Sequence, residues 1–317
     1  MKIIITGGAG FIGSNLALEL VKRGHEVKII DNFITGRIKN VTTILEELGI
    51  EQDLTIVKGD IKNRDFLEKE FKGFDAISHQ AAIPSVPRSI TDLYPSHDSN
   101  INGTFNVLVA SKNVGVKKVV YASSSSIYGE RVGKSKIETM KPQPLAPYAI
   151  QKLSGEIYCK NFAHLYGLSS VCLRYFNVFG PRQNPNSEYA AVVPKFIKMI
   201  LNDKSPTIYG DGNQTRDFTY VKNVVNANIL ALNSLKVHFG ETLNIACGRS
   251  ISINELTELI NKFTGKNIKP VYEKPRPGEI KHSLANVDKA KKLIGYKPLY
   301  SFEQGLKETI KWIKEKE

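Results

Sequence analysis

The sequence of 317 residues predicts an α/β fold in which helices cover both faces of a doubly wound parallel sheet. Two observations predict this class. Short β-branched apolar runs alternate with longer amphipathic segments along the chain, and this alternation indicates a parallel sheet. The first apolar run is also followed by closely spaced glycines and a helix-like segment, which is the arrangement of a Rossmann-type nucleotide site.

The length favours two structural units, because chains of this size rarely form a single core. We predict a nucleotide-binding domain over residues 1–176 and a smaller, mostly C-terminal α/β substrate domain over residues 177–317. Residues 219–247 are predicted to return to the first domain. The sequence has no Pro/Gly-rich linker, so we expect the second domain to be built from excursions of a continuous chain.

Composition excludes several classes of protein. The formal net charge of +13 comes from lysines interspersed with acids, which argues against a nucleic-acid-binding surface. No run approaches the roughly 18 apolar residues of a membrane span. The apolar strand begins at Ile3 without a secretory signal, so we expect a soluble, cytoplasmic protein. Cys159, Cys172 and Cys247 have no C-x-x-C spacing and predict neither a metal site nor a disulfide.

The first predicted element is a strand over residues 2–6, followed by a glycine turn and a helix over residues 14–23. Gly7 permits the tight turn, and Gly10 lets a pyrophosphate approach the N-terminus of the helix. Gly13 lets the helix pack closely on the strand. This spacing predicts a dinucleotide site.

A second strand, over residues 26–30, ends in Asp31. An acid at this position binds the adenosine ribose hydroxyls and repels a 2′-phosphate, so NAD is favoured over NADP. Arg37 partly offsets that repulsion. A third strand, over residues 54–58, runs into Asp60, for which contact with the adenine amino group and a helix cap are both open.

A fourth strand, over residues 75–79, leads into Gln80, Ala81 and Ala82. Small side chains there let a cofactor lie against the backbone. A helix that includes residues 100–110 follows, so the alternation of strand and helix continues.

A fifth strand, over residues 119–122, ends in four consecutive serines, Ser123–Ser126. Open α/β sheets bind ligands at the carboxyl ends of their strands. Tyr148 and Lys152 lie four residues apart in a helical segment, so one turn of helix brings them onto one face. A fixed cation near a phenol favours the phenolate and lowers its pKa from about 10. These residues predict a proton-transfer site beside the dinucleotide.

Together these features resemble the extended short-chain dehydrogenase/reductases, and within that group the UDP-sugar 4-epimerases. The resemblance covers essentially the whole chain. The matching residues are "TGGAGFIG" at 6–13, Asp31, "GDI" at 59–61, "QAA" at 80–82, "SSSSIYG" at 123–129, "YAIQK" at 148–152, "LRYFNVFGPRQ" at 173–183, "YGDGNQTRDFTYV" at 209–221 and "RPGE" at 276–279.

The resemblance implies transient oxidation at C4 of a UDP-hexose, with NAD as the cofactor. Tyr148, as phenolate, is expected to take the O4 proton, and Ser124 to hydrogen-bond the same oxygen. Lys152 is expected to lower the Tyr148 pKa and to hold the nicotinamide ribose. The cofactor-binding residues that the resemblance implies are Gly7, Gly10, Phe11, Ile12, Gly13, Asp31, Asn32, Gly36, Asp60, Ile61, Gln80, Ala81, Ala82, Asn100, Tyr148, Lys152 and Tyr175.

The resemblance also implies a site for the UDP-sugar. Asn177, Arg216 and Arg276 are expected at the diphosphate, because guanidinium forks match phosphate oxygens. Glu279 is expected at the uridine ribose. The full implied set is Ser85, Arg88, Ser124, Ser125, Tyr148, Asn177, Val193, Phe196, Tyr209, Arg216, Arg276, Glu279 and Ser283.

Three segments bear on the uracil and on the choice of sugar. Residues 187–197 resemble the segment around the uracil, with Val193 and Phe196 as its walls. Ser283 stands where epimerases restricted to UDP-Glc and UDP-Gal carry a bulky Tyr, so an acetamido group has room. Ser85–Ser89 resembles the loop over the sugar in epimerases of N-acetylated UDP-hexosamines. We expect UDP-GlcNAc to UDP-GalNAc as a principal reaction, with the smaller UDP-Glc and UDP-Gal also accepted.

Other enzymes that begin with the same oxidation differ from this sequence at single positions. Nucleotide-sugar 4,6-dehydratases normally carry an Asp-Glu pair where this chain has Ser125 and Ser126, and decarboxylases of UDP-glucuronate usually carry Glu in place of Ser126. A UDP-glucuronate 4-epimerase stays open. A non-catalytic NAD-binding regulator is disfavoured, because such chains typically lack the Tyr or the Lys. The resemblance further implies a homodimer through helices near residues 100–115 and 148–165.

Overall fold

The structure is a computed structural model that describes residues 1–49, 54–130, 135–186, 191–275 and 281–316. The strands of this part of the chain are β1 (Lys2–Thr6), β2 (Glu26–Asp31), β3 (Leu54–Lys58), β4 (Ala76–His79), β5 (Lys118–Ser124), β6 (Ser169–Tyr175), β7 (Val178–Phe179), β8 (Thr207–Tyr209), β9 (Thr215–Arg216), β10 (Thr219–Tyr220), β11 (Phe239–Ile245), β12 (Ile251–Ser252) and β13 (Val271–Glu273).

The helices of the same ranges are α1 (Phe11–Lys22), α2 (Ile38–Leu48), α3 (Arg64–Phe71), α4 (Val86–Thr91), α5 (Leu93–His97), α6 (Thr104–Asn113), α7 (Pro147–Tyr166), α8 (Val192–Leu201), α9 (Val221–Asn233), α10 (Ile253–Thr264), α11 (Asp288–Ile294) and α12 (Phe302–Lys316). A π-helical turn, Asp98–Gly103, precedes α6, and a 3₁₀ turn, Ser125–Tyr128, follows β5. No helix within the described ranges is long and apolar enough to cross a membrane.

The central sheet has seven strands in the order β3-β2-β1-β4-β5-β6-β11. Every neighbouring pair is parallel. On one side of β1 the sheet continues with β2 and β3, and on the other side it continues with β4, β5, β6 and β11. This order confirms the predicted doubly wound sheet and places a crevice at the carboxyl ends of β1 and β4, where ligands bind in such folds.

Alternate residues of a strand face opposite sides of a sheet, and in this sheet both sides are buried. Ile3 and Ile5 of β1 lie in one apolar cluster with Leu16 of α1. Ile4 lies in a second cluster with Leu108 of α6. Helices α1, α2 and α9 therefore cover one face, and α3, α6 and α7 cover the other.

Helix α1 begins at Phe11, earlier than the predicted start at Ser14. The N–H of Ser14 already donates to the carbonyl oxygen of Gly10, at 3.0 Å, so the last residues of the glycine turn form the first turn of the helix. A Cβ atom at Gly13 would lie 2.3 Å from the carbonyl oxygen of Gly7. Glycine at this position therefore permits the close packing of helix and turn that the sequence predicted.

The C-terminal elements form small sheets and a helical layer. Strand β8 pairs with β13, β9 with β12, and β10 with β7. Strand β11 lies beside β6 at the edge of the central sheet. Residues of α8, α10 and α12 share one apolar cluster with residues of α1 and α9. Apolar packing is therefore continuous from the central sheet into the C-terminal layer.

Candidate functional site

A cavity of about 600 Å³ lies in the crevice at the carboxyl ends of the central strands. The glycine turn after β1, the loop after β4 and the ends of β2, β5 and β6 line it. The predicted cofactor-binding residues that line this cavity are Gly7, Gly10, Phe11, Ile12, Gly13, Asp31, Asn32, Ile61, Gln80, Ala81, Ala82, Tyr148, Lys152 and Tyr175. We call this space the first cavity.

The backbone of the glycine turn has the shape that a dinucleotide site requires. Gly7 has a φ of 71°, and a Cβ atom there would lie 2.6 Å from the Cα atom of Ala81. A Cβ atom at Gly10 would lie 3.1 Å from the carbonyl oxygen of Gly7. The N-terminus of α1 is thus uncovered toward the first cavity, where its N–H groups suit a phosphate. These residues fit NAD.

Asp31 is buried at the end of β2 and lines the first cavity. Its carboxylate accepts hydrogen bonds from the N–H groups of Ala9, at 2.9 Å, and Phe33, at 2.8 Å. Burial raises the pKa of Asp31, and the two N–H groups oppose that rise. A Cβ atom at Gly36 would lie 2.6 Å from Asp31 Oδ1. Gly36 therefore packs on this carboxylate rather than lining the cavity.

The position of Asp31 predicts a preference for NAD over NADP. Its carboxylate repels a 2′-phosphate, although Arg37 also lines the first cavity. Cofactor-free protein reconstituted with each dinucleotide should recover at least about tenfold more activity with NAD, and Asp31→Asn should narrow that ratio. Equal activity of the wild-type protein with NADP would contradict the prediction and shift the selection to Arg37.

Two further predicted cofactor residues lie outside the first cavity. The Asn100 amide is buried and bonds both the N–H and the carbonyl of Ile83, at 2.8 and 3.0 Å. Because Ile83 lines the cavity, Asn100 positions the wall without reaching the cofactor space. Asp60 accepts a hydrogen bond from Asn32 Nδ2, at 3.1 Å, and one from the N–H of Lys62, at 2.9 Å. Asp60 therefore holds its own turn and the side chain of Asn32.

A second cavity of about 330 Å³ adjoins the first, since Ile12, Ser123, Tyr148 and Tyr175 line both. The predicted substrate-binding residues that line the second cavity are Ser124, Ser125, Tyr148, Asn177, Arg216 and Ser283. Ser85 and Arg88 line the first cavity instead. The structure thus brings these six predicted substrate residues to one place beside the dinucleotide space.

Tyr148 stands between the two cavities, in the first turn of α7. Lys152, one turn later, is buried, and its Nζ lies 5.9 Å from the centre of the Tyr148 ring. Lys152 Nζ donates to the carbonyl oxygen of Ala122, at 2.8 Å, which fixes the ammonium ion against β5. Ser124, at the end of β5, accepts from the hydroxyl of Ser126, at 2.9 Å. The three predicted catalytic side chains therefore converge.

The electrostatics of this group differ from the prediction. Burial raises the pKa of Tyr148 to about 12, and a hydrogen bond with Ser124 opposes that rise. Burial also lowers the pKa of Lys152 to about 8. We expected Lys152 to lower the Tyr148 pKa, but desolvation of the phenolate is the largest influence on that pKa in this structure. The tyrosine is therefore a neutral phenol near pH 7 until a ligand adds positive charge.

Ser85 and Asn177 are two of the three cavity-lining residues with strained backbones, and Arg182, with a φ of 70°, is the third. Ser85 has a φ of 95° and Asn177 a φ of 34°, values that non-glycine residues rarely adopt. The Asn177 amide donates to the carbonyl oxygen of Asp217, at 3.3 Å, and the Ser85 hydroxyl caps α4. Such strain is concentrated at binding sites in proteins, which agrees with the predicted place of both residues over the ligand.

Asp217 holds together the loops that carry Arg216 and Ser283. Its buried carboxylate accepts from the N–H groups of Cys247, at 3.0 Å, Gly248, at 3.0 Å, and Ala285, at 3.2 Å. Burial raises the pKa of Asp217 to about 6, against these hydrogen bonds. The carboxylate thereby fixes one wall of the second cavity.

Several predicted substrate residues are not brought to either cavity. Val193 and Phe196 lie on the buried face of α8, within the apolar cluster of the C-terminal layer. They therefore pack in the core instead of forming an open wall. The carbonyl oxygen of Tyr209 accepts from Gln214 Nε2, at 2.7 Å, and Tyr209 lines neither cavity. Arg276 and Glu279 lie outside the described residues.

Sequence reasoning missed three basic residues, one of which, Lys62, lines the first cavity. Lys136 lines the second cavity and Arg182 the first. Arg182 follows Pro181 in the motif at 173–183, which the resemblance already marked. Lys136 had no comparable signal, because it lies in an irregular loop. Among the described residues, no group of three or more His, Cys, Asp or Glu side chains is placed to hold a metal ion.

Comparisons with known proteins identify relatives of the same fold. A family model described as the NAD dependent epimerase/dehydratase family matches residues 3–246. The structure of the UDP-N-acetylglucosamine 4-epimerase from Methanobrevibacter ruminantium M1, in complex with UDP-N-acetylmuramic acid, is similar to this chain with a TM-score of 0.93 and 43% identity. The match covers 100% of this chain and 99% of that one.

Two other relatives have names that give a different substrate or a different reaction. A UDP-glucuronic acid 4-epimerase from Bacillus cereus, in complex with UDP-glucuronic acid and NAD, has a TM-score of 0.91 and 38% identity, with 99% of each chain covered. A UDP-N-acetyl-alpha-D-glucosaminuronate decarboxylase of Bacillus cytotoxicus is 38% identical over 325 residues, covering 99% of this chain and 98% of that protein.

Proposed function

This chain belongs to the NAD-dependent epimerase/dehydratase family, as its motifs predicted, and we propose that it inverts C4 of a UDP-hexose through a transient 4-keto sugar. One observation carries the proposal. Ser124, Tyr148 and Lys152 converge where the two cavities adjoin, and the first cavity has the glycine turn and the acid of a dinucleotide site. The similar epimerases agree with this reading.

The proposed mechanism begins with proton removal at O4 of the sugar. Tyr148 is the base, and Ser124 hydrogen-bonds the same oxygen and relays the proton. Bound NAD supplies the hydride acceptor and, in its oxidised form, a positive charge that favours the phenolate. The Lys152 ammonium ion adds to that stabilisation. Tyr148 returns the proton after the keto sugar has turned over.

Inversion requires that the sugar turn while its nucleotide stays bound. The serines of the second cavity are small and leave the hexose room to rotate. Asn177 and Arg216 would anchor the diphosphate together with Arg276, and Glu279 would hold the uridine ribose, the last two residues lying outside the described ranges. Strong contacts to UDP and weak contacts to the hexose together permit hydride return to the opposite face.

We propose UDP-GlcNAc to UDP-GalNAc as a principal reaction, with UDP-Glc to UDP-Gal also accepted. Ser283 supports this choice, because its small side chain lines the second cavity where a bulky one would fill it. The similar M. ruminantium enzyme is named for UDP-N-acetylglucosamine. A UDP-glucuronate 4-epimerase is the second candidate, since the B. cereus enzyme of that activity is 38% identical.

The experiment that tests the proposal is a substrate panel. Purified protein is incubated with UDP-GlcNAc, UDP-Glc and UDP-glucuronate in turn, and each C4 epimer is measured. We expect UDP-GalNAc from UDP-GlcNAc without added reductant. Loss of CO₂ from the uronate would indicate a decarboxylase, and a 6-deoxy product a dehydratase. Binding of NAD without turnover of any sugar would support the regulator.

The charge of Lys152 gives a separate prediction. Lys152→Met should reduce kcat by at least about a hundredfold and move the pH optimum of the residual activity upward. The variant lacks the ammonium ion that favours the phenolate, so a higher pH is needed to ionise Tyr148. Measurement of kcat against pH at saturating NAD tests this, and an unchanged profile would contradict the electrostatic contribution of Lys152.

We also propose a homodimer that forms through α6 and α7. Both helices expose apolar side chains, with Phe105 39%, Ile150 50% and Ile157 60% exposed. Phe105 of α6 contacts Tyr158 of α7, with ring centres 5.2 Å apart, so the apolar side chains of the two helices adjoin as they do in many protein interfaces. Light scattering of the purified protein measures the oligomeric state, and a charged residue in place of Ile157 should yield monomers. The cytoplasmic location stays a prediction.

A further inference from the structure

Lys136 is a buried lysine in the wall of the second cavity. Its side chain is 2% exposed. The backbone of the loop around it is fixed, because Lys136 forms a β-bridge with Ala285, and its N–H donates to the carbonyl oxygen of Leu284, at 2.8 Å. The loop therefore holds Lys136 at a fixed position close to Ser283.

The ammonium ion of Lys136 is poorly compensated. Its contacts within the described residues are the carbonyl oxygen of Gly129, at 3.5 Å from Nζ, and the ring of Tyr128, whose centre is 5.9 Å from Nζ. A distance of 3.5 Å is at the outer limit of a hydrogen bond. Burial and the nearby charge of Arg216 lower the pKa of Lys136 to about 8, so most of the lysine is charged near pH 7.

The walls of the second cavity offer this charge no counter-ion. The described residues that line it are serines, tyrosines, aliphatic residues, Asn177, Arg216 and Lys136, and none of them is acidic. Both buried arginines of the described residues do have carboxylate partners. Arg174, for example, forms a two-point ion pair with Glu156 at 2.7 and 2.8 Å. A buried charge without such a partner is costly unless a ligand supplies the opposite charge.

We propose that Lys136 is a binding residue of the sugar-nucleotide site, and that its ammonium ion donates to an anionic oxygen of the ligand. This inference rests on the proposed function, because it assumes a UDP-sugar in the second cavity. Two parts of such a ligand carry an anionic oxygen, namely the diphosphate and, in acidic sugars, a carboxylate. Lys136 is specificity-determining if the second part is its partner.

Binding measurements on the NAD-loaded protein separate these sources. The affinities of UDP, UDP-GlcNAc and UDP-glucuronate are measured by calorimetry for the wild type and Lys136→Met. Lys118→Met is the matched control, because Lys118 is also buried but lies at the opposite end of β5 and donates to the carbonyl oxygen of Ser234. Removal of a charge-assisted hydrogen bond should weaken binding about tenfold to a hundredfold.

Proton uptake provides a readout that a structural lysine would not change. At pH 8 the side-chain amine of Lys136 is about half protonated in the protein without a ligand. An anionic partner favours the protonated form. Ligand binding should therefore take up about half a proton per site. Titrations in two buffers with different ionisation enthalpies measure this uptake. Lys136→Met should lack it, and Lys118→Met should keep it.

Each result of these measurements either identifies the partner of Lys136 or contradicts the inference. Weaker binding of UDP by Lys136→Met identifies the diphosphate as the partner, and weaker binding of UDP-glucuronate alone identifies a carboxylate. Unchanged affinities, a loss no greater than that of Lys118→Met, or a loss confined to the neutral sugar of UDP-GlcNAc would overturn the inference. A wild-type protein that binds none of the three ligands would instead contradict the proposed function.

Discussion

Tyr148→Phe is expected to lower kcat for C4 epimerisation by about 10²- to 10⁴-fold while NAD binding and the fold stay intact. The substitution removes the proton acceptor and keeps the ring that lines both cavities. Because the lost group acts in the chemical step, KM should change far less than kcat. Steady-state kinetics with UDP-GlcNAc, together with the amount of bound NAD, measure both effects.

The control for this variant is Tyr220→Phe. Tyr220 is fully buried, and its hydroxyl has no hydrogen-bond partner among the described residues, so its removal should leave activity unchanged and should not destabilise the fold. Full epimerisation by Tyr148→Phe would contradict the proposed proton transfer. Equal loss in both variants would indicate damage to packing rather than to chemistry.

Ser283→Tyr is expected to abolish turnover of the N-acetylated pair while UDP-Glc and UDP-Gal are still interconverted. Ser283 is buried and lines the second cavity of about 330 Å³. A phenol ring there would fill the space that an acetamido group needs, and exclusion by bulk acts against the larger sugar. Measurement of kcat/KM for both pairs tests the prediction.

Ser283→Ala serves as the matched control, since it removes the hydroxyl and adds no bulk. If size alone decides the selection, this variant should turn over both pairs at nearly the wild-type rate. A parallel fall of both pairs in Ser283→Tyr would contradict the gate, as would a wild-type protein that ignores UDP-GlcNAc.

The local parts of the fold and site were predictable, because short-range patterns encode them. The glycine turn, the acid that ends β2 and the pair Tyr148 and Lys152 each depend on spacings of a few residues. Strand and helix periodicity then fixed the class of sheet, and the parallel order in the structure confirms it. The bounds of some elements differ: α1 begins at Phe11 rather than Ser14, since the glycine turn enters the helix, and β5 extends over Lys118–Ser124 rather than 119–122.

The remaining features depend on contacts between distant segments. Lys136 reaches the second cavity because its loop pairs with Ala285, and no local pattern marks that pairing. The pKa of Tyr148 rises because tertiary packing desolvates the phenol, an effect that the spacing to Lys152 does not contain. No local pattern predicts that the side-chain amide of Asn100 forms hydrogen bonds with the backbone of Ile83.

The fate of hydrogen at C4 tests the central claim most directly. UDP-GlcNAc that carries deuterium at C4 is incubated with the protein in ordinary water until the epimers equilibrate, and both sugars are then analysed by mass spectrometry. Oxidation and return of the same hydride within one site predicts that UDP-GalNAc keeps deuterium at C4. Loss of the label to water, or conversion of the labelled sugar into a dehydrated product, would contradict epimerisation through a 4-keto intermediate.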